Sequence, residues 1–271
     1  MKLDVATGLA ATSGDKGTRV AQRGSTGGNI NGNIEGAEII YHPQQNKYYL
    51  FIAYDWLETK YNVRVGRADS PQGPFLDFNG KDMKTPEDNG PMILAPYKFQ
   101  GHGGWQGVAH CAVFADNGQY YMAHQGRPGV DKYYMVMHVR KIFWMPDGWP
   151  VVSPGRYANV EQTTIAATDI AGQWEQIVLG YQVVPGYSAE QTSPNFQEAV
   201  TITLNADGKI NGEAANTWTY TAPWLELKWG GGLYIDKVHV SRERDWENKK
   251  ASTLVFTGLN NQGTAIWGKK K

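Results

Sequence analysis

Two side chains that could take part in acid–base or metal chemistry stand at similar places in this sequence. Glu35 lies between the turn-forming pair Gly32-Asn33 and a segment that favours an extended chain, 38–41, and His110 precedes a second such segment. A carboxylate at the mouth of a strand and next to glycine can be reached by a bulky substrate, which suits a catalytic acid. An ordinary surface glutamate occupies the same kind of place, and Glu38 is the local alternative.

The strands that must position these two residues form a repeat. Tyr48-Tyr49 in the first set matches Tyr120-Tyr121 in the second, and Gly73-Pro74 roughly matches Gly148-Trp149-Pro150, an offset of 72 to 75 residues. Four short antiparallel strands per repeat are typical of a β-propeller blade. In this register Glu35 and His110 both begin the innermost strand of a blade. Two blades cannot close a ring.

The second half of the chain has a different texture. Six or seven regularly spaced strands with Asp-Gly and Gln-Gly turns follow a Thr/Ala-rich linker, and they predict a small β-barrel or sandwich. With 32 Gly, 15 Tyr and 10 Trp, the whole chain is predicted to be all-β, with a first domain at 1–160 and a second at 161–271.

Composition excludes several classes of function. Lys plus Arg equals Asp plus Glu at 26 each, so no field favours nucleic acid or an acidic membrane surface. Cys111 is the single cysteine, which excludes an internal disulfide framework and a cysteine-built zinc site. No apolar run has the length of a membrane span, and the first residues lack the core of a signal peptide.

Three segments together resemble glycoside hydrolase family 43. They are Asn33-Ile34-Glu35-Gly36-Ala37, the run 61–77 that begins Tyr-Asn-Val-Arg-Val-Gly-Arg, and Asp147-Gly148-Trp149-Pro150-Val151-Val152. More narrowly, the chain resembles the two-domain endo-α-1,5-L-arabinanases, which consist of a five-bladed propeller followed by a small β-barrel. The resemblance implies that this chain holds about two of the five blades and the barrel, as the C-terminal portion of such an enzyme.

The resemblance also implies roles for the two opening residues. The family inverts the anomeric carbon with a carboxylic acid, a carboxylate base and a third carboxylate, and Glu35 matches the acid, which protonates the leaving glycosidic oxygen. His110 matches a histidine beside a mostly water-ligated metal, usually calcium. A hard cation prefers oxygen, so one imidazole is a weak ligand set, and a hydrogen-bonded core histidine is the alternative.

Other residues are candidates for the sugar cleft. Tyr54, Asp55 and Trp56 follow the second strand of the first blade, and Trp105 lies in the loop before His110. Aromatic rings suit stacking on sugar faces, although β-rich cores also use aromatics. The arginines Arg127 and Arg140 could equally be paired surface charges.

The catalytic base of the family is missing from the pattern. Asp4 and Asp15 precede Glu35, but neither stands in a His-Asp-Pro-like strand start. We therefore expect little hydrolysis by this chain alone and expect the first blades to lie outside it. The implied substrate is arabinan, the implied cofactor calcium and the implied location extracellular. The alternatives are an exo-acting arabinofuranosidase or xylosidase, an inactive carbohydrate-binding fragment, and a scaffold without sugar function.

Overall fold

The computed structural model is an all-β chain with one four-residue helix among the residues it describes, which are 1–23, 25–26, 29–30, 34–85, 90–180 and 192–271. Gly32 and Asn33 before Glu35 therefore lie outside the described residues. The strands of the first part are β1 (Ser25–Thr26), β2 (Asn29–Ile30), β3 (Ile34–His42), β4 (Lys47–Tyr54), β5 (Asn62–Ala68), β6 (Met92–Leu94), β7 (Tyr97–Lys98), β8 (Trp105–Gln106), β9 (Ala112–Asp116), β10 (Gln119–Pro128), β11 (Val136–Trp144) and β12 (Pro150–Val152).

The first sheet is four-stranded and antiparallel, in the order β3-β4-β5-β6. Its second strand, β4, is rich in aromatic and aliphatic residues and is buried on both faces from Tyr49 onward. Because successive side chains alternate, Tyr49 and Phe51 join the core shared with the second sheet, whereas Leu50 and Ile52 join a smaller cluster on the opposite face. A strand covered on both sides favours such a nearly continuous apolar run.

The second sheet repeats the pattern and then extends it. Strands β9 to β12 pair antiparallel in chain order. The far end of β10 pairs with β8 instead, β8 pairs with β7, and β7 pairs in parallel with β14 from the second half of the chain. The first three strands of each set follow the predicted repeat. The fourth does not, because Gly73-Pro74 lies outside any strand and the first sheet is closed by β6 at Met92–Leu94. The number of blades in a complete propeller stays a prediction.

Two of the family-like segments contact each other across these sheets. The Tyr49 hydroxyl donates to the Gly148 carbonyl at 2.6 Å, and Arg67 Nη1 donates to the Asp147 carbonyl at 2.7 Å. The Arg67 guanidinium also lies over the Trp149 ring, 4.5 Å from its centroid. The segment 147–152 therefore fastens the second sheet to the first.

The second part of the chain is a closed barrel of eight strands among the described residues, in the order β13-β15-β16-β17-β18-β19-β20-β21. Helix α1 (Ala167–Ile170) precedes it. The barrel strands are β13 (Gly172–Leu179), β15 (Val200–Leu204), β16 (Lys209–Ile210), β17 (Glu213–Thr221), β18 (Trp224–Trp229), β19 (Tyr234–Asp245), β20 (Lys250–Asn260) and β21 (Ala265–Lys270). Strand β14 (Gln197–Glu198) lies outside the barrel and pairs with β7. The sequence left a barrel and a sandwich open, and the structure shows the barrel. All its strands fall within the predicted second domain, and the exact boundary stays a prediction.

The two parts share one hydrophobic core. Strand β13 places Trp174 inside the barrel, while Ile177 and Leu179 face the first part together with Trp267 of β21. Polar contacts flank this apolar contact: the Thr257 hydroxyl donates to the Val152 carbonyl at 2.7 Å. Burial of this many large apolar side chains fixes the barrel against the second sheet.

The contact region between the second sheet and the barrel, called the junction, contains a buried cation. Arg140, fully buried on β11, donates to four groups: His124 Nε2 at 3.0 Å, the Tyr97 hydroxyl at 2.7 Å, and the carbonyl oxygens of Ser153 and Pro154 at 3.0 and 2.6 Å. The suggestion of a surface charge is wrong for both Arg127 and Arg140, because both are buried. The barrel residue Trp267 lies beside the Arg140 guanidinium, 5.3 Å from ring centroid to Cζ.

Burial also governs the histidines next to Arg140. Burial, with the neighbouring Arg140 charge, lowers the pKa of His124 to about 3 and lowers the pKa of His138 well below its ordinary value. Both imidazoles are therefore neutral components of the junction. No helix among the described residues has both the length and the apolar character needed to cross a membrane.

Candidate active site

Glu35 stands on an irregular stretch of β3. Glu35 pairs with Ala53 and Glu38 pairs with Phe51, so β3 has one residue more than β4 over this interval. Such a bulge bends the strand and redirects a side chain. Glu35 is exposed here, so its carboxylate is open to solvent.

Gly36 makes the bulge possible. Its φ of 57° lies in the left-handed region, and a Cβ at this position would stand 3.2 Å from His110 Cγ. Any larger residue would be strained and would press on the imidazole. The glycine beside Glu35 thus allows β3 to approach His110.

Tyr61 joins the two candidate residues. Its hydroxyl donates to Glu35 Oε1 at 2.7 Å and lies 3.3 Å from His110 Nδ1. Because the phenol has one proton and gives it to Glu35, the arrangement requires the Nδ1–H tautomer of His110, with Nδ1 donating to the tyrosine oxygen. The ring of Tyr61 is buried in the core, directly before β5. The sequence pointed to Tyr61 only as the first residue of a family-like run, not as a residue of the site.

Glu38, the local alternative to Glu35, has a different environment. Its carboxylate accepts the Val113 N–H at 2.6 Å and so bridges β3 to β9. Burial raises the pKa of Glu38, and this backbone hydrogen bond opposes the rise. Its contacts make it a connection between the two innermost strands.

The sequence of this chain matches known families over most of its length. A family model described as glycosyl hydrolases family 43 matches residues 10–150, which is more than half of the chain. The chain belongs to glycosyl hydrolase family 43. A second model, described as a C-terminal lipocalin-like domain, matches residues 154–268 and covers nearly the whole barrel.

Two relatives align with nearly the entire chain. The chain is 28% identical over 272 residues to extracellular endo-α-(1→5)-L-arabinanase 2 of Bacillus subtilis, covering 90% of this chain and 54% of that protein. It is 30% identical over 290 residues to an extracellular endo-α-(1→5)-L-arabinanase of Thermotoga petrophila, covering 99% and 58%. The crystal structure of endo-1,5-α-L-arabinanase from Thermotoga petrophila matches with a TM-score of 0.83 at 26% identity, over 99% of this chain and 61% of that one. The chain thus spans little more than half the length of these relatives.

The residues around His110 do not form a calcium site by themselves. His110 is exposed, and its Nδ1 is engaged with Tyr61, which leaves Nε2 for a metal. Calcium takes six to eight oxygen ligands, yet the described part of the chain has no group of three or more His, Cys, Asp or Glu side chains that could hold a metal ion. The side chains around His110 do not fit a calcium ion held mainly by protein ligands. A calcium ion beside His110 stays a prediction.

Two of the cleft candidates are inside the protein. The Asp55 carboxylate accepts Arg23 Nε at 2.9 Å and Asn62 Nδ2 at 2.6 Å, and Asp55 has a φ of 75°. The Tyr54 ring lies beneath the Arg64 guanidinium, 4.9 Å from it, and burial raises the pKa of Tyr54 to about 12. These contacts describe a structural cluster next to β4. A sugar-binding role for Tyr54 and Asp55 stays a prediction.

The two tryptophan candidates differ from each other. Trp56 is half-buried, and its indole N–H donates to the Glu58 carboxylate. Trp105 is buried in β8, with the His138 ring against its edge and the Arg156 guanidinium 5.0 Å from its centroid. Of the four predicted sugar contacts in this family 43 chain, Trp56 is the most accessible. A role in sugar binding stays a prediction for both tryptophans.

Proposed function

We propose that this chain contributes the general acid, Glu35, to a glycoside hydrolase that cleaves internal α-1,5-L-arabinofuranosidic bonds of arabinan. Family membership supports the glycosidase class, and the alignment with two proteins named endo-arabinanases supports the substrate. The observation that carries the assignment within the chain is the Glu35–Tyr61–His110 arrangement.

The arrangement suits an acid because it treats the two carboxyl oxygens differently. Tyr61 donates to Oε1 and fixes the orientation of the group. The other oxygen, Oε2, can then carry the proton that a glycosidic oxygen receives. General acid catalysis by a positioned side chain contributes about 10²–10⁴-fold to a rate.

An inverting reaction also needs a base that activates water from the opposite face of the sugar, about 6.5–9.5 Å from the acid. The two aspartates before Glu35 have local duties. Asp4 Oδ1 accepts the Thr7 N–H at 2.9 Å, and Asp15 Oδ1 accepts the Gly17 N–H at 2.7 Å. These contacts are those of residues that cap turns, and we assign the base to neither.

Calcium and the extracellular location belong to the same proposal. His110 Nε2 would face a cation whose other ligands are mainly water, and no step of the proposed reaction depends on it. Both aligned relatives are named as extracellular proteins, which supports export of the protein that carries this chain.

The acid can be tested without the base by supplying a nucleophile that needs no deprotonation. Azide attacks the anomeric carbon, the glycosidic C–O bond breaks, and the leaving oxygen takes the proton of Glu35. The chain is incubated with linear arabinan in buffer and in sodium azide, and released sugars are separated by chromatography. We expect little release of sugars in buffer. In sodium azide we expect released sugars that carry an azide group at the anomeric carbon.

Glu35→Gln is the decisive variant, since it keeps the shape and loses the proton. We expect the azide-dependent release to fall by about 10²-fold or more. Glu38→Gln is the matched control on the same strand and should retain the release once its folding is verified. Equal release by the Glu35→Gln variant and the unchanged chain would remove Glu35 from the mechanism.

Mixed oligosaccharides at early times indicate endo-action, and a single short product indicates the exo-acting alternative.

A further inference from the structure

The interior of the barrel is apolar except at one end, where the lining combines polar and aromatic side chains with the aliphatic Val178 and Ile266. Leu225, Val238 and Phe256 belong to the apolar cluster that fills most of it. At the end where β13, β18 and β20 finish and β19 and β21 begin, a pocket of about 460 Å³ opens instead. Its lining includes these polar and aromatic residues: Gln176, Trp229, Tyr234, Asp236, Asn260 and Gln262. The mouth of a β-barrel is a common position for a ligand site.

Strand register shows that these side chains face inward. Asp236 pairs with Leu227, which belongs to the inner cluster, and the next pair on the same face is Trp229 with Tyr234. Side chains two residues apart share a face of a sheet. The carboxylate and the two rings therefore lie on one surface, with Tyr234 at the rim, 41% exposed.

Asp236 is a buried acid held without a cation. It is 2% exposed, and its Oδ2 accepts Trp229 Nε1 at 2.8 Å and Gln176 Nε2 at 3.3 Å. No salt bridge among the described residues includes it. Burial raises the pKa of Asp236 to about 6. A carboxyl group placed in a pocket at a cost in stability is a candidate for ligand recognition.

We propose that this end of the barrel binds a neutral saccharide, at a site separate from Glu35. The Tyr234 and Trp229 rings offer apolar faces to sugar C–H groups, and the Asp236 carboxyl accepts hydrogen bonds from sugar hydroxyl groups. Gln176 Nε2 donates to Asp236, and Asn260 Oδ1 accepts the N–H groups of Gln262 and Thr264. The Gln176 oxygen can accept from a ligand hydroxyl, the Asn260 amide nitrogen can donate to one, and the Gln262 amide can do both. Together these groups match a ligand whose faces are apolar and whose edges carry hydroxyls.

Two other ligand classes fit the pocket less well. An apolar ligand would cover the second oxygen of Asp236 and the Gln262 amide without offering them hydrogen bonds, which makes its binding less favourable. A calcium ion would find one carboxylate among the described residues that line the pocket, far from the oxygen-rich set it prefers. A saccharide satisfies the polar groups without requiring a compensating charge.

The test measures binding by the full chain with isothermal titration calorimetry, using arabinotriose, xylotriose and cellotriose as probes. The choice of arabinotriose rests on the proposed function. Tyr234→Ala and Gln262→Ala alter the rim, where both side chains are exposed, and each should weaken binding by about tenfold or more. Tyr41→Ala, an equally exposed tyrosine on β3 at 46%, is the matched control and should bind like the unchanged chain.

The outcomes separate this proposal from the role of Glu35. Binding that survives Glu35→Gln and fails in Tyr234→Ala supports the barrel site, whichever of the three sugars binds. Binding of xylotriose or cellotriose at the rim, with none of arabinotriose, supports the barrel site and counts against arabinan as the substrate. The proposal is overturned if none of the sugars binds, if Tyr234→Ala and Gln262→Ala bind as the control does, or if the pocket takes only an apolar dye.

Discussion

The site around Glu35 and the junction around Arg140 both use histidine with a hydrogen-bonded tyrosine nearby, yet their surroundings are opposite. At the first, Glu35 and His110 are exposed, and a single buried hydroxyl, that of Tyr61, orients them. At the second, Arg140 and His124 are sealed between the second sheet and the barrel. Burial, more than residue type, therefore decides which polar groups of this chain remain available for chemistry.

The largest expected effect is at the junction. Arg140→Ala removes a donor to four acceptors and leaves the Tyr97 hydroxyl, His124 and two carbonyls without it. At about 1–3 kcal/mol for each buried unsatisfied group, we expect a loss of more than about 3 kcal/mol in the free energy of unfolding, measured by urea titration.

Arg244→Ala is the matched control for that measurement. Arg244 is exposed and lies over the Trp246 ring, 4.6 Å from its centroid. Its removal should change stability by no more than about 0.5 kcal/mol. If the two arginine variants are equally stable, Arg140 does not hold the junction together.

The next effect is a pH dependence of stability. The pKa of His124 is about 3 in the folded chain and ordinarily 6.5. Between these values the unfolded chain binds a proton that the folded chain does not, so stability falls as pH drops from about 6.5 toward 3, by up to about 1.4 kcal/mol per pH unit. His138 has a lowered pKa and contributes in the same direction.

His124→Gln isolates the share of that one imidazole. The glutamine oxygen can still accept from Arg140, but the side chain does not titrate, so the urea midpoint should fall less steeply with acid. Asp236 contributes with the opposite sign between 3.8 and about 6, because its folded form keeps the proton there. The difference between the pH profiles of the unchanged chain and the His124→Gln variant therefore measures the contribution of His124. Parallel profiles would show that His124 does not cause the loss of stability in acid.

The smallest effect concerns Tyr61. Tyr61→Phe keeps the buried ring and removes the hydroxyl that orients Glu35, so we expect azide-dependent release of sugars to fall by about tenfold, with about 1 kcal/mol lost in stability. Tyr49→Phe loses a hydrogen bond to the Gly148 carbonyl in the same core. It should lose similar stability and no activity. Equal activity in the two variants would make Tyr61 a structural residue only.

Much of the architecture could be predicted from the sequence because its signals are local. Period-two patterns and glycine turns predicted an all-β chain, and the tyrosine pairs on β4 and β10 identified two similar sets of strands. Family-like segments assigned the family, which the match over 10–150 confirmed. The sequence also located the carboxylate and the imidazole that the structure brings together.

The rest depended on contacts between residues far apart in the chain. Asp55 is buried together with Arg23 and Asn62, so the sequence around it could not distinguish a cleft residue from a core residue. Arg140 is buried against the barrel, so its sequence could not distinguish a surface charge from a core residue. The hydroxyl of Tyr61 reaches Glu35 because β5 lies beside β4 and β3 bulges at Gly36. Sequence determined which groups exist and which strands carry them, while tertiary packing decided which of them meet water, because accessibility is a property of the assembled surfaces.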